Sequence, residues 1–74
     1  MAIDKNVITS PQPGDTVTKE INGRLHTREV VNFRFQRVAW VRLLESGKRG
    51  TQMVCGIGHW QVWCSGATEA KRAG

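Results

Sequence analysis

Arg37–Cys64 reads RVAWVRLLESGKRGTQMVCGIGHWQVWC and holds all three tryptophans, both cysteines and one of the two histidines. Its side chains alternate as on a pleated ribbon, where successive residues point to opposite faces. Val38–Glu45 carries apolar residues in both phases, with Ala39, Val41 and Leu43 set against Val38, Trp40 and Leu44. That pattern suits a strand buried on both sides. Ser46–Gly50 is polar and rich in glycine, the composition of a loop. Thr51–Ile57 then places Met53, Cys55 and Ile57 in one phase. Gly56 and Gly58 permit a tight reversal, and His59–Cys64 alternates again with Trp60, Val62 and Cys64 in phase. The segment therefore predicts three strands joined by a polar loop and a glycine turn.

Toward the N-terminus the same period of two persists. Thr16–Ile21 (TVTKEI) alternates and is followed by Asn22-Gly23, the pair best suited to a two-residue hairpin because both central residues need positive φ. Arg24–Phe35 follows as a second strand. Leu25, Thr27, Val31, Phe33 and Phe35 form a mostly apolar phase, and Arg24, His26, Arg28, Asn32 and Arg34 a basic, outward one. Glu29 and Val30 break the alternation and predict a bulge or bend. Near Gln36-Arg37 the chain must turn or pass between sheets, although neither glycine nor proline marks the place.

Residues 1–13, with Pro11 and Pro13, read as a flexible arm, since proline fixes φ and removes a donor. Pro13-Gly14-Asp15 is a turn signal and opens a domain over 14–65, and residues 66–74 read as a flexible basic tail. Five short strands with tight turns and no helix of usable length predict an all-β chain. The most economical arrangement is a small five-stranded SH3-like barrel, with an OB-like barrel as the alternative. The Gly14-Asp15-x-Val17 opening resembles that of some small SH3-like domains.

A chain of 74 residues accommodates one domain. Its 39% hydrophobic and 23% charged content is that of a globular protein rather than a disordered one. No apolar run approaches the roughly 20 residues of a membrane-spanning helix, and MAIDKNVITS lacks the apolar core of a secretory signal. The expectation is a cytoplasmic protein without a membrane partner. Two cysteines do not make a disulfide framework, so Cys55 and Cys64 are expected to be reduced and turned inward.

Catalytic and metal chemistry finds little support. Ser46-Gly47-Lys48-Arg49 lacks the first glycine and the hydroxyl residue of a phosphate-binding loop. Cys55, His59 and Cys64, with distant His26, lack the paired two-to-four-residue spacing of structural zinc sites. Asp15, Glu20, Glu29 and Glu45 are scattered. No enzyme activity, cofactor or metal is expected.

What remains is basic and aromatic. Eleven Lys and Arg against six Asp and Glu give a formal charge of +5, which favours nucleic acid or an acidic protein surface as partner. The residues assigned to contact nucleic acid are Arg28, Arg34, Trp40, Arg42, Lys48, Arg49 and Trp63. Lys and Arg would meet phosphates, while bases stack on the tryptophans. The same residues also have a purely structural reading, in which Trp40 and Trp63 cap a small core and arginine stems lie across their rings. Two functions follow as expectations: a small non-enzymatic nucleic-acid-binding regulator, bacterial or phage-encoded, or a protein-interaction module. The latter would be a phage-type accessory protein, host-enzyme inhibitor or self-assembling subunit anchored by exposed Trp and Arg.

Overall fold

A computed structural model of the chain describes residues 3–73. Along the sequence run α1 (Lys5–Thr9), β1 (Thr16–Ile21), β2 (Arg24–Arg34), β3 (Arg37–Leu43), β4 (Arg49–Gly56), α2 (Ile57–Cys64) and β5 (Ala67–Lys71). The strands form one antiparallel sheet in the order β4-β3-β2-β1-β5. The chain is mostly β, as expected, and β1 occupies the predicted residues. The predicted bulge is present, as a register shift between Val30 and Asn32 where β2 meets β3.

Three segments differ from expectation. His59–Cys64, expected as a strand, belongs to helix α2. Its sequence satisfies two periods at once: Trp60, Val62 and Cys64 alternate, yet Ile57, Trp60 and Cys64 also recur at helical spacing. The helix buries Trp60 and Cys64 and leaves His59, Gln61 and Val62 exposed. Ala67–Lys71, expected as part of a flexible tail, is β5 and pairs with β1 through Val17↔Ala70. ATEAK has little strand propensity of its own. Its pairing with β1, and burial of Ala70 beneath it, supply what propensity does not.

The third is the N-terminal arm, which is built into the domain. Asp4 caps α1 by accepting the Asn6 N–H at 2.9 Å, the use of an aspartate that N-cap positions favour. Its own N–H donates to the Ala70 carbonyl at 3.0 Å, and Val7 is fully buried. The fully buried Asp15 carboxylate joins the two ends, accepting N–H bonds from Gln12 at 2.8 Å and Ala73 at 2.9 Å, with the Arg72 guanidinium at 3.4 Å. Met1, Ala2 and Gly74, the outermost residues of the expected arm and tail, lie outside the described residues.

The core lies between one face of the sheet and the two helices. Val17, Val30, Val38 and Ala70 come from the sheet, Val7 from α1, and Trp60 and Cys64 from α2. Strand β3 is buried in both phases, with Ala39 and Val41 on the reverse face, as its double apolar pattern required. The phase of β2 is the opposite of the expected one. Val17 faces Arg28 and Val30 faces Trp40, so up to the bulge the even-numbered residues of β2 turn toward α2. Leu25, in the odd phase, is 63% exposed. The bulge at Val31 causes the error, because one extra residue reverses the alternation between Val30 and Phe33. Among the described residues no helix is long and apolar enough to cross a membrane.

Candidate functional site

At the centre of the inner face lies Arg28. Register brings Val17, Arg28 and Arg42 into one row across β1, β2 and β3, and the same register sets Val30, two residues along β2, beside Trp40. Helix α2 crosses above and brings Trp63 down onto the same place. The Arg28 guanidinium carbon lies 3.7 Å from the Trp40 ring centroid and 3.9 Å from that of Trp63. The cation is thus sandwiched between two indoles, whose ring quadrupoles replace part of its lost hydration. Burial lowers the pKa of Arg28 from its ordinary value, and the sulfurs of Cys55 and Cys64 oppose that shift.

Around the sandwich the packing is continuous. Trp60 and Trp63 stack with centroids 6.3 Å apart and planes at 28°. Lys19 Nζ donates to the Trp63 carbonyl at 3.0 Å and lies 5.3 Å from its ring centroid. This places a positive charge at the C-terminal end of α2, where exposed carbonyls favour it. Burial pushes the Cys64 thiol up to about 12, with Arg28 and Lys19 pulling the other way, so it is an un-ionised core group at ordinary pH. The Trp40 indole N–H is buried without an acceptor among the described residues, which costs about 1–3 kcal/mol.

The carboxylates of the strands lie on one face of the sheet, whereas cations lie on both. The phase that contains Val17 carries Lys19, Arg24, His26, Arg28 and Arg42, through the pairs Ile21↔Arg24, Lys19↔His26 and Arg28↔Arg42. The opposite phase carries Glu20, Glu29 and Glu69, through Glu20↔Leu25, Glu29↔Val41 and Thr18↔Glu69, together with Arg34, Arg37, Arg49 and Lys71, through Arg34↔Arg37, Leu43↔Arg49 and Thr16↔Lys71. Asp15, next to β1, is buried and held by Arg72. Among the described residues the ion pairs engage Arg49, Lys71 and Arg72, leaving the cations of the inner phase without a carboxylate partner.

The seven residues singled out from sequence separate accordingly. Arg28, Trp40, Trp63 and Arg42 come together. Arg49 lies on the reverse face, bound to Glu29 at 2.7 Å. Lys48 is in the β3–β4 loop and Arg34 at the far end of β2. Arg28 covers a face of both Trp40 and Trp63, so the stacking surface expected to receive bases is already in use inside the protein.

Sequence reasoning missed the end of the β2–β3 hairpin. Its loop is Phe35-Gln36, with Arg34 and Arg37 paired across it. Both loop residues have positive φ, 51° and 62°, and Phe35 is 93% exposed. The Gln36 carbonyl accepts the Ile57 N–H at 2.8 Å, fixing the tip to the start of α2. Reading Phe35 as one of an apolar row hid it, and the only cue in sequence was the required turn with no glycine to make it.

Compared with protein-family models, curated proteins and solved structures, the chain matches none.

Proposed function

We propose that this protein is a non-enzymatic nucleic-acid-binding module that holds the phosphate backbone on the basic phase of its sheet. The observation that carries the reading is a face of the sheet that holds cations and no strand carboxylate. Lys19, Arg24, Arg28 and Arg42 share that face with His26; Arg28 is held between Trp40 and Trp63 and Lys19 by the Trp63 carbonyl, which leaves Arg24 and Arg42 exposed on it. No strand carboxylate on that face competes with a phosphate for these cations. A polyanion gains from it, because each neutralised phosphate releases condensed counterions.

The fold proposed for this module is an SH3-like barrel. Strands β1 to β4 follow one another as a meander, and β5 returns through α2 to lie beside β1. That order supports the SH3-like reading over the Greek-key order of an OB barrel.

Titration with short single- and double-stranded oligonucleotides at two salt concentrations tests the function. Affinity should fall steeply with salt. Arg42→Ala should lower the slope of log K against log salt by about one unit, whatever the base sequence. Absence of binding at low salt defeats the proposal.

A protein-interaction role draws on a different region. Among the described residues, edge strand β4 has no strand neighbour on its outer side, and Met53 and Val54 on it are 51% and 56% exposed. Such edges accept a further strand. Sedimentation that shows a dimer dispersed by Val54→Lys would favour this second reading.

A further inference from the structure

We infer that Phe35 is a stacking residue for an unpaired nucleobase, displayed at the tip of the β2–β3 hairpin beside two phosphate-binding arginines. The inference rests on the nucleic-acid reading above and deepens it, because it supplies the base contact that the tryptophans do not. Trp40 and Trp63 each have a ring face covered by Arg28. The Phe35 ring, 93% exposed, is open to solvent.

Three features set the tip apart from an ordinary exposed apolar residue. First, the conformation is unfavourable for the residues that adopt it: Phe35 and Gln36 have φ of 51° and 62°, and a bulky residue in the left-handed region is an outlier that calls for a functional reason. Second, the tip is held in place. Arg34 pairs with Arg37 and the Gln36 carbonyl takes the Ile57 N–H, so the ring is presented on a fixed support with little order left to lose on binding. Third, its surroundings are free of acid. Neither the hairpin end from Phe33 to Val38, nor β4, nor α2 contains an Asp or Glu. Arg34 and Arg37 form no ion pair among the described residues. A flat apolar ring between two uncompensated arginines matches a base with a phosphate on either side, since stacking on an aromatic face tolerates any base.

The experiment compares fluorescence polarisation of a labelled twelve-nucleotide oligothymidylate with an abasic backbone of the same length and charge. It uses the full chain, Phe35→Asn, Phe35→Leu and Phe35→Trp. The wild-type protein should prefer the base-bearing strand by roughly tenfold, the scale of one base stack. Phe35→Asn, which suits the turn better and should fold more stably, and Phe35→Leu, which stays apolar, should both bring that ratio near one. Phe35→Trp should keep or raise it. An unchanged ratio in Phe35→Asn overturns the inference and leaves backbone binding by the sheet intact. Failure of the wild-type protein to bind either strand at low salt overturns both.

Discussion

The two hairpins that share β2 turn through the same kind of loop with opposite chemistry. Asn22-Gly23 joins β1 to β2 with φ of 52° and 79°, and Phe35-Gln36 joins β2 to β3 with φ of 51° and 62°. Each closes a two-residue loop, between Ile21↔Arg24 in one case and Arg34↔Arg37 in the other. Asn and Gly are the residues that reach positive φ with least strain. Phe and Gln reach it at about 1–2 kcal/mol each. The first hairpin is therefore specified by its own turn. The second is imposed by what surrounds it: the pairing of β2 with β3, burial of Val30 and Val38, and the bond from Ile57 to the Gln36 carbonyl. A turn that tertiary structure enforces is free to carry a residue chosen for display.

The largest expected effect comes from breaking the point where both hairpins meet α2. Arg28→Ala removes the cation between Trp40 and Trp63 and the stem that carries it there. It should lower stability by about 2–3 kcal/mol, measured by urea unfolding. Arg28→Lys should recover less than half of this, because an ammonium lacks the planar face that stacks on both rings. Full recovery with lysine would show that charge alone matters there.

A single substitution made in both turns sharpens the contrast. Gly23→Val places a β-branched residue at positive φ and should cost about 2 kcal/mol. Space is not the cause, since a Cβ at Gly23 would meet nothing within 4 Å. Gln36→Val should cost only about 0.5–1 kcal/mol, because Gln36 already bears the left-handed penalty in the wild-type protein. Equal losses at the two sites would mean that the turns do not differ in stored strain.

The same contrast explains what could be read in the sequence. The β1–β2 hairpin was legible because local and tertiary preferences agree there: TVTKEI alternates and Asn22-Gly23 ends it. At Gln36-Arg37 a reversal is required but nothing local marks it, so the sequence alone puts the loop one residue late and leaves Phe35 in an apolar row. Strand β5 was illegible for the same reason, since ATEAK becomes a strand only against β1. Helix α2 was ambiguous, because in IGHWQVWC the apolar residues satisfy both periods and only packing of Trp60 and Cys64 selects the helix. At Arg28 the residue types were right and the face was wrong. Counting phase back from Phe33 across the bulge turned an inward arginine outward, and with it the expectation that the tryptophans are free to stack on bases.

Relieving the second turn should stabilise the protein. Phe35→Asn gives up a ring that is 93% exposed, so little packing is lost, and asparagine enters the left-handed region more readily than phenylalanine. A gain of about 1 kcal/mol is expected, seen as a higher urea midpoint with an unchanged m-value. A loss would show that the ring packs in a way its exposure does not suggest, and that the turn is not strained for display.

The smallest effect separates strain from display within the same loop. Gln36→Gly relieves the left-handed penalty at the second position but leaves the Phe35 ring and the Gln36 carbonyl position in place. Glycine also enlarges the freedom of the unfolded chain, which offsets part of the relief, so the net gain should be only about 0.5 kcal/mol. Its preference for a base-bearing over an abasic strand should match that of the wild-type protein. If Gln36→Gly instead abolishes the preference while raising stability, then it is rigidity of the tip, rather than the aromatic ring, that binding depends on. The strain at position 36 would then serve the site as directly as the residue at position 35.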